Sequence, residues 1–219
     1  MKRLVPLLLV VAAALFACLP FIINAARPEA TMGLVQKIFY FHFPAALLTM
    51  VSAITCGVAS ARVLFGRAGG SADAVACAAA ELAIVCGAIV LVTGPLWGRR
   101  AWGVWWQWDA RVTSTFIMWL VFSAYLLLRK FGGPGSEKLS AAVGLFGMAL
   151  VPFVYWSVNM WRTLHPPTTV VPKLPAEFAV PLWLAVGAFG CLYAAVMTVR
   201  VQLAQAQAAL DAVAIEMED

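Results

Sequence analysis

Six apolar runs, at about residues 4–23, 43–64, 74–96, 112–129, 139–158 and 179–199, alternate with short polar stretches along the chain. Each is close to the roughly 20 residues that an α-helix needs to cross a bilayer's hydrocarbon, so the pattern predicts six membrane-spanning helices. Stop signals mark the breaks: Pro44 early in the second run, Gly66 and the Gly69-Gly70 pair after it, and Gly132-Gly133-Pro134-Gly135 between the fourth and fifth. The expected fold is an all-α polytopic membrane protein: one six-helix domain over residues 1–219, with a tryptophan-rich outer loop between helices 3 and 4.

The first run has a second reading. Lys2-Arg3, the apolar stretch and Asn24-Ala25-Ala26 also fit a cleavable signal peptide, and Leu15-Phe16-Ala17-Cys18 a weak lipoprotein box. The run is long enough to span, and a retained helix is expected; cleavage would leave the other five with the same orientation.

Composition narrows the function. With 63% apolar and 11% charged residues in 219, six spans leave about 100 residues for loops and tails, which excludes a large water-soluble catalytic domain. The net charge of +5 is scattered rather than gathered in a stripe, so nucleic acid is not an expected partner, whereas membrane and anionic ligands are. Cys18, Cys56, Cys77, Cys86 and Cys191 all fall in apolar stretches without a Cys-x-x-Cys pair, and are expected to be small buried hydrophobes rather than redox, zinc or covalent haem-attachment residues.

With the N-terminus inside, the inner side carries Lys2, Arg3, Arg62, Arg67, Arg129, Lys130, Lys138 and Arg200, and the outer side Arg27, Lys37, Arg99, Arg100, Arg111, Arg162 and Lys173. Eight against seven orients the chain only weakly. So many outer cations suit either an anionic ligand or lipid phosphates. Span parity gathers residues 24–42, 97–111 and 159–178 on that outer side.

Five of the nine tryptophans lie between Trp97 and Trp108, in the segment that continues to Asp109-Ala110-Arg111-Val112-Thr113. A helical middle would align Trp102, Trp105, Trp106 and Asp109 on one face, as an aromatic shelf ending in a carboxylate. An interfacial aromatic belt would spread over all helix ends, yet the inner side has no tryptophan, so a flat apolar ligand explains the clustering better. The small Gly98 and Gly103 would let backbone approach such a ligand closely. Asp109 is open to three roles: ligand contact, N-cap of the fourth helix, or partner of Arg111 or another arginine. Arg99, Arg100 and Arg111 are candidates for pairing with ligand carboxylates.

The chain has two histidines, His42 in Phe39-Tyr40-Phe41-His42-Phe43-Pro44 and His165 in Trp161-Arg162-Thr163-Leu164-His165-Pro166-Pro167. Each alone suits an interfacial, hydrogen-bonded ring. Two of them flanking a porphyrin-sized aromatic surface suggest axial ligands of haem iron, while two nitrogens without further donors make a poor structural zinc site.

The run Trp102-Gly103-Val104-Trp105-Trp106-Gln107-Trp108-Asp109, continuing as Ala110-Arg111-Val112-Thr113, resembles the signature of the haem-handling proteins of cytochrome c biogenesis. With six spans, one such loop and a flanking histidine on each side, nearly the whole chain resembles the cytochrome c maturation protein C family, also called haem exporter protein C. The match departs at Gln107, more polar than that family's usual residue, at Val112 in place of a leucine, and at Pro166 after the second histidine.

The resemblance implies non-covalent, transient binding of haem b on the outer, periplasmic face of the bacterial inner membrane, with both termini cytoplasmic. That face would be formed by residues 37–44, 97–113 and 159–172. It makes His42 and His165 the axial iron ligands and Trp102, Trp105, Trp106, Trp108 and Asp109 the porphyrin platform. Trp97 joins them as a candidate contact, and Arg99, Arg100 and Arg111 as candidate partners of the propionates. The implied partners are a membrane-tethered haem chaperone, the ATPase and permease subunits of an ABC-type transporter, and a small single-span subunit. No catalysis is expected of the chain itself.

Three rivals are weaker. A b-haem electron-transfer subunit usually holds its histidines within spans; a haem-attaching synthetase is larger and has more histidines. A transporter through the bilayer draws its one support from Glu81 in the third apolar run, which could equally be neutral and hydrogen-bonded or lie at a packing seam.

Overall fold

The computed structural model describes residues 3–66, 70–133 and 135–218, without the side chains of residues 212, 214–216 and 218. Lys2, Arg67, Gly69 and Pro134, named above as inner charges and stop signals, lie outside the described residues. The chain forms six long helices: α1 (Leu4–Ala25), α2 (Phe39–Phe65), α3 (Gly70–Trp102), α4 (Ala110–Phe131), α5 (Ser136–Met160) and α6 (Ala176–Glu218). Short 3-10 turns at Leu34–Ile38 and Val171–Lys173 lead into α2 and α6. Each long helix contains a stretch long and apolar enough to cross a membrane, so the chain is a multi-pass, all-α membrane protein.

Several boundaries differ from the sequence expectation, and Pro44, expected as a stop signal, lies inside α2. α3 runs through Gly94-Pro95 and on to Trp102, six residues beyond the apolar run. Proline is tolerated inside membrane helices because neighbouring helices satisfy the freed backbone groups. α6 likewise continues beyond residue 199 to Glu218, giving a 43-residue helix of roughly 65 Å. Its extension is rich in Ala, Gln and Leu, all good helix formers. Gly70, expected as a breaker, is the first residue of α3.

Helices α2–α5 share one core, built from Ala53, Cys56 and Ala59, from Ala76, Ala79, Ala80 and Ala83, from Met118, Phe122 and Tyr125, and from Val151 and Val154. The alanine row of α3 lets its neighbours approach closely, the usual source of helix affinity where lipid offers no hydrophobic contrast. Gly147 of α5 serves the same end, since a Cβ there would stand 2.6 Å from Phe122 Cζ. Helices α1 and α6 pair separately through Leu19, Ile23, Leu182, Ala185 and Ala188, and meet the bundle at Tyr40.

Polar ties join the opposite end of the bundle from the tryptophan segment. Arg129 pairs with Asp73 at 2.5 Å and lies 3.7 Å from Glu137, linking α4 to α3 and α5. Glu81 is neither isolated nor without a charged partner: Arg200 Nε and Nη2 donate to its two oxygens, both at 2.6 Å, clamping α6 to α3. The cysteines are all free, but only Cys56 and Cys86 are buried; Cys77 and Cys191 are half-buried and Cys18 is exposed on α1. That last side chain corrects the expectation of five buried thiols, because α1 lies at the edge of the bundle and buries only a narrow stripe, Ala12, Leu19 and Ile23.

Candidate functional site

The site is built where the α1–α2 connection, the end of α3, the 103–109 segment and the α5–α6 connection meet. In the first, the Glu29 carboxylate accepts the backbone N–H groups of Thr31 at 2.8 Å and Met32 at 2.6 Å. The Met32 N–H is the main cause holding the Glu29 pKa below the usual carboxylate value. This turn sets Met32 Sδ 3.2 Å from Trp97 Nε1, which donates to it. Trp97 is buried, its ring 5.8 Å from the His42 ring at 77° and stacked on Trp102 at 6.3 Å.

α3 stops at Trp102 because Gly103 takes a left-handed φ of +80°. Arg99 Nη1 donates to the Gly103 carbonyl at 2.5 Å, satisfying an acceptor at the helix end. Residues 104–109 are not helical, so the expected helical shelf of Trp102, Trp105, Trp106 and Asp109 does not exist. The same four side chains nonetheless line one cavity, brought together by chain reversal rather than by helical repeat.

Asp109 has the N-cap role. Its Oδ1 accepts from Val112 N–H at 2.8 Å at the start of α4. Its Oδ2 accepts from Thr163 Oγ1 at 2.5 Å, and that oxygen in turn accepts the His165 N–H at 3.0 Å. Asp109 forms no ion pair with an arginine among the described residues. Arg111 instead donates through Nη1 to the carbonyls of Val154 at 2.7 Å and Tyr155 at 2.9 Å, fixing its guanidinium at the top of α5.

The cavity is partly open and holds about 120 Å³ of free space. Both histidines line it, together with Trp97, Trp102, Trp105, Trp106, Asp109 and Arg111. Ala46, Thr49, Met50 and Met118 form its deeper, mostly apolar part. His42 Nδ1 lies 2.8 Å from Thr93 Oγ1, and His165 Nδ1 lies 2.9 Å from the Pro166 carbonyl. Burial first, then the nearby Arg111 charge, brings the His165 pKa down to about 4, so its imidazole is neutral at ordinary pH. Trp106 Nε1 is buried without a partner, a free donor on the aromatic side.

Three sequence candidates stand apart. Trp108 is 70% exposed and packs edge-on against Trp106 and Phe116, outside the cavity lining. Arg99 lies with its guanidinium 6.0 Å from the Trp105 ring, and neither it nor the exposed Arg100 lines the cavity. Conversely, Met32, Thr93 and Thr163 organise the site without having been singled out. A hydroxyl inside an apolar run, Thr93, and one two residues before a candidate ligand, Thr163, were the only signals available. The three departures from the family pattern, Gln107, Val112 and Pro166, all lie on the cavity wall.

The sequence model of the family described as Heme exporter protein C matches residues 1–215. The chain belongs to the Heme exporter protein C family. Among its relatives, the Heme exporter protein C of Paracoccus denitrificans is 31% identical over 205 residues, 84% of this chain and 85% of that one. That of Bradyrhizobium diazoefficiens is 35% identical over 174 residues, 77% of this chain and 66% of its own. A Marchantia polymorpha mitochondrial protein whose name reads cytochrome c biosynthesis ccmC-like is 28% identical over 167 residues, 75% of this chain and 71% of its own. The Heme exporter protein C match takes in both histidines and the whole tryptophan segment.

Proposed function

We propose that the chain handles haem for cytochrome c maturation, binding it without covalent attachment and presenting it on the periplasmic face of the bacterial inner membrane to a membrane-tethered haem chaperone. The observation that carries this reading is that the only two histidines in the sequence line one aromatic-walled cavity, each with Nδ1 engaged by an oxygen. Imidazoles held through one nitrogen and facing an apolar cavity with the other are the arrangement of axial iron ligands. The names of the relatives support haem as the cargo.

His42 and His165 are the proposed iron ligands, with Trp97, Trp102, Trp105 and Trp106 walling the macrocycle. Arg111 is the arginine placed to meet a propionate, since it lines the cavity and Arg99 and Arg100 do not. The free Trp106 N–H is a second donor suited to a propionate oxygen. Haem b fits as a transient cargo: the cysteines lie on the helices away from the cavity lining, so no covalent thioether holds the ring. The chain carries out binding and hand-over rather than a reaction. It works with ABC-type ATPase and permease subunits and a small single-span subunit, both termini in the cytoplasm.

Movement of haem through this bundle is the weaker reading, because the carboxylate that suggested it, Glu81, is engaged bidentately by Arg200. Absorption spectra of the purified protein with added haem test the proposal: a six-coordinate spectrum is expected, altered in both His42→Ala and His165→Ala. Spectra of both variants unchanged from that of the unsubstituted protein would remove the axial assignment.

A further inference from the structure

We propose that Thr93 is a positioning residue: it fixes the tautomer of His42 so that the Nε2 lone pair faces the cavity. The proposal deepens the haem reading above and rests on it. His42 Nδ1 and Thr93 Oγ1 are 2.8 Å apart, and Thr93 Oγ1 donates to the Ile89 carbonyl, one turn back on α3, at 2.6 Å. A hydroxyl has one proton and two lone pairs. With that proton committed to Ile89, the Thr93 oxygen offers only lone pairs to the ring, and the contact is a hydrogen bond only when Nδ1 carries the imidazole proton. In the opposite tautomer Nδ1, then an acceptor, would be paired only if the hydroxyl proton left Ile89, giving up that 2.6 Å bond.

The neighbouring residue limits the ring's other freedom. A Cβ at Gly94 would lie 3.4 Å from His42 Cε1, the carbon between the two ring nitrogens, so the α3 backbone lies against the edge of the imidazole. His165 reaches the same state by other means. Its Nδ1 is 2.9 Å from the Pro166 carbonyl, which can only accept, so the proton is again on Nδ1. Two unrelated devices, a back-bonded threonine on a helix and a carbonyl in a loop, therefore expose the same nitrogen of both imidazoles. Thr93 itself is not part of the cavity wall and acts through His42 alone.

Because the chain has two histidines, one substitution isolates the ring. Full-length protein carrying His165→Ala and nitrogen-15-labelled histidine holds a single labelled imidazole, whose nitrogen NMR shifts without haem report which position is protonated. Protonated Nδ1 and bare Nε2 are expected, with Thr93→Val giving a mixed or reversed tautomer and Thr93→Ser restoring it. Protonated Nε2 in the Thr93 protein, or an unchanged tautomer in Thr93→Val, overturns the proposal; the first reading needs no substitution at position 93, so misfolding of a variant does not shield it. Haem titration of the same variants with His165 present supplies the second readout. Thr93→Val is expected to weaken haem binding at least about tenfold, in line with other hydrogen bonds to ligating histidines. It should also raise the midpoint potential of bound haem, because an imidazole that no longer donates from Nδ1 is a poorer electron donor to iron. Thr93→Val with unchanged affinity and potential overturns the positioning role. Absence of haem binding by the Thr93 protein overturns the haem reading instead, and the apo NMR result still decides the tautomer.

Discussion

Asp109 and Thr163, 54 positions apart, are joined by a 2.5 Å hydrogen bond that ties the tryptophan segment to the loop of His165. The carboxylate also caps α4, and Thr163 accepts the His165 backbone N–H, so one acidic side chain holds the aromatic wall, a helix start and a proposed iron ligand in register. Thr163→Val removes the tie while keeping the cap. It should weaken haem binding by about 1.5–3 kcal/mol, the scale of a hydrogen bond to a charged group. Asp109→Ala loses the cap as well, about 1 kcal/mol more in stability. A double-mutant cycle read by haem affinity checks the coupling; strictly additive losses would mean that the two residues act separately.

Arginine substitutions should separate by position rather than by proximity in sequence. Arg111 lines the cavity and is fixed by the Val154 and Tyr155 carbonyls, so Arg111→Lys, which lacks the planar fork, is expected to weaken haem binding about tenfold. Arg100→Ala should leave affinity within about twofold, because that side chain lies off the cavity wall and surface charges contribute little. Equal losses in the two variants, measured by haem titration, would place a propionate outside the cavity described above.

The six spans were legible because a bilayer imposes a length on every crossing, and an apolar run of that length has few other uses. Helix ends were less so: Gly94-Pro95 looks like a break in a water-soluble context, but α3 passes through it and carries Trp97 and Trp102 on its last turns. Residue type identified the cavity wall, since two histidines, clustered indoles and Arg111 are chemically unusual there. Direction did not follow from type. The 104–109 segment has no repeating backbone period, so nothing in its order says that Trp106 turns inward while Trp108 packs outward on Phe116. Thr93 and Met32 were invisible for another reason: their importance lies in what they touch, His42 and Trp97, across 51 and 65 positions.

The Glu81–Arg200 clamp predicts a structural phenotype without a haem phenotype. Glu81→Gln and Arg200→Gln should each lower thermal stability, because each leaves the other member of the α3–α6 ion pair without its charged partner. Haem affinity should stay unchanged, since neither residue lines the cavity. Thermal unfolding in detergent together with haem titration checks both statements. Loss of haem loading in Glu81→Gln at unchanged stability would return a transport role to that carboxylate.

The pH dependence of haem retention should follow His165. Its folded pKa of about 4 lies below the ordinary histidine value of 6.5, with burial the first cause and the Arg111 charge the second. Between those two values the unfolded chain binds a proton that the folded chain does not, so the contribution to stability is fully present above 6.5 and is lost as pH falls toward 4. Protons also compete with iron for the imidazole only near the folded pKa, so bound haem should be retained from neutral pH down to about 5 and released close to 4. The Met32 N–H lowers the Glu29 pKa, and Glu29→Gln separates any effect of that carboxylate on the Met32–Trp97 contact from that of His165. A spectral titration of the haem-loaded protein makes the measurement. Release centred near 6.5 would show that His165 is open to water and free of Arg111, contrary to the geometry of the cavity.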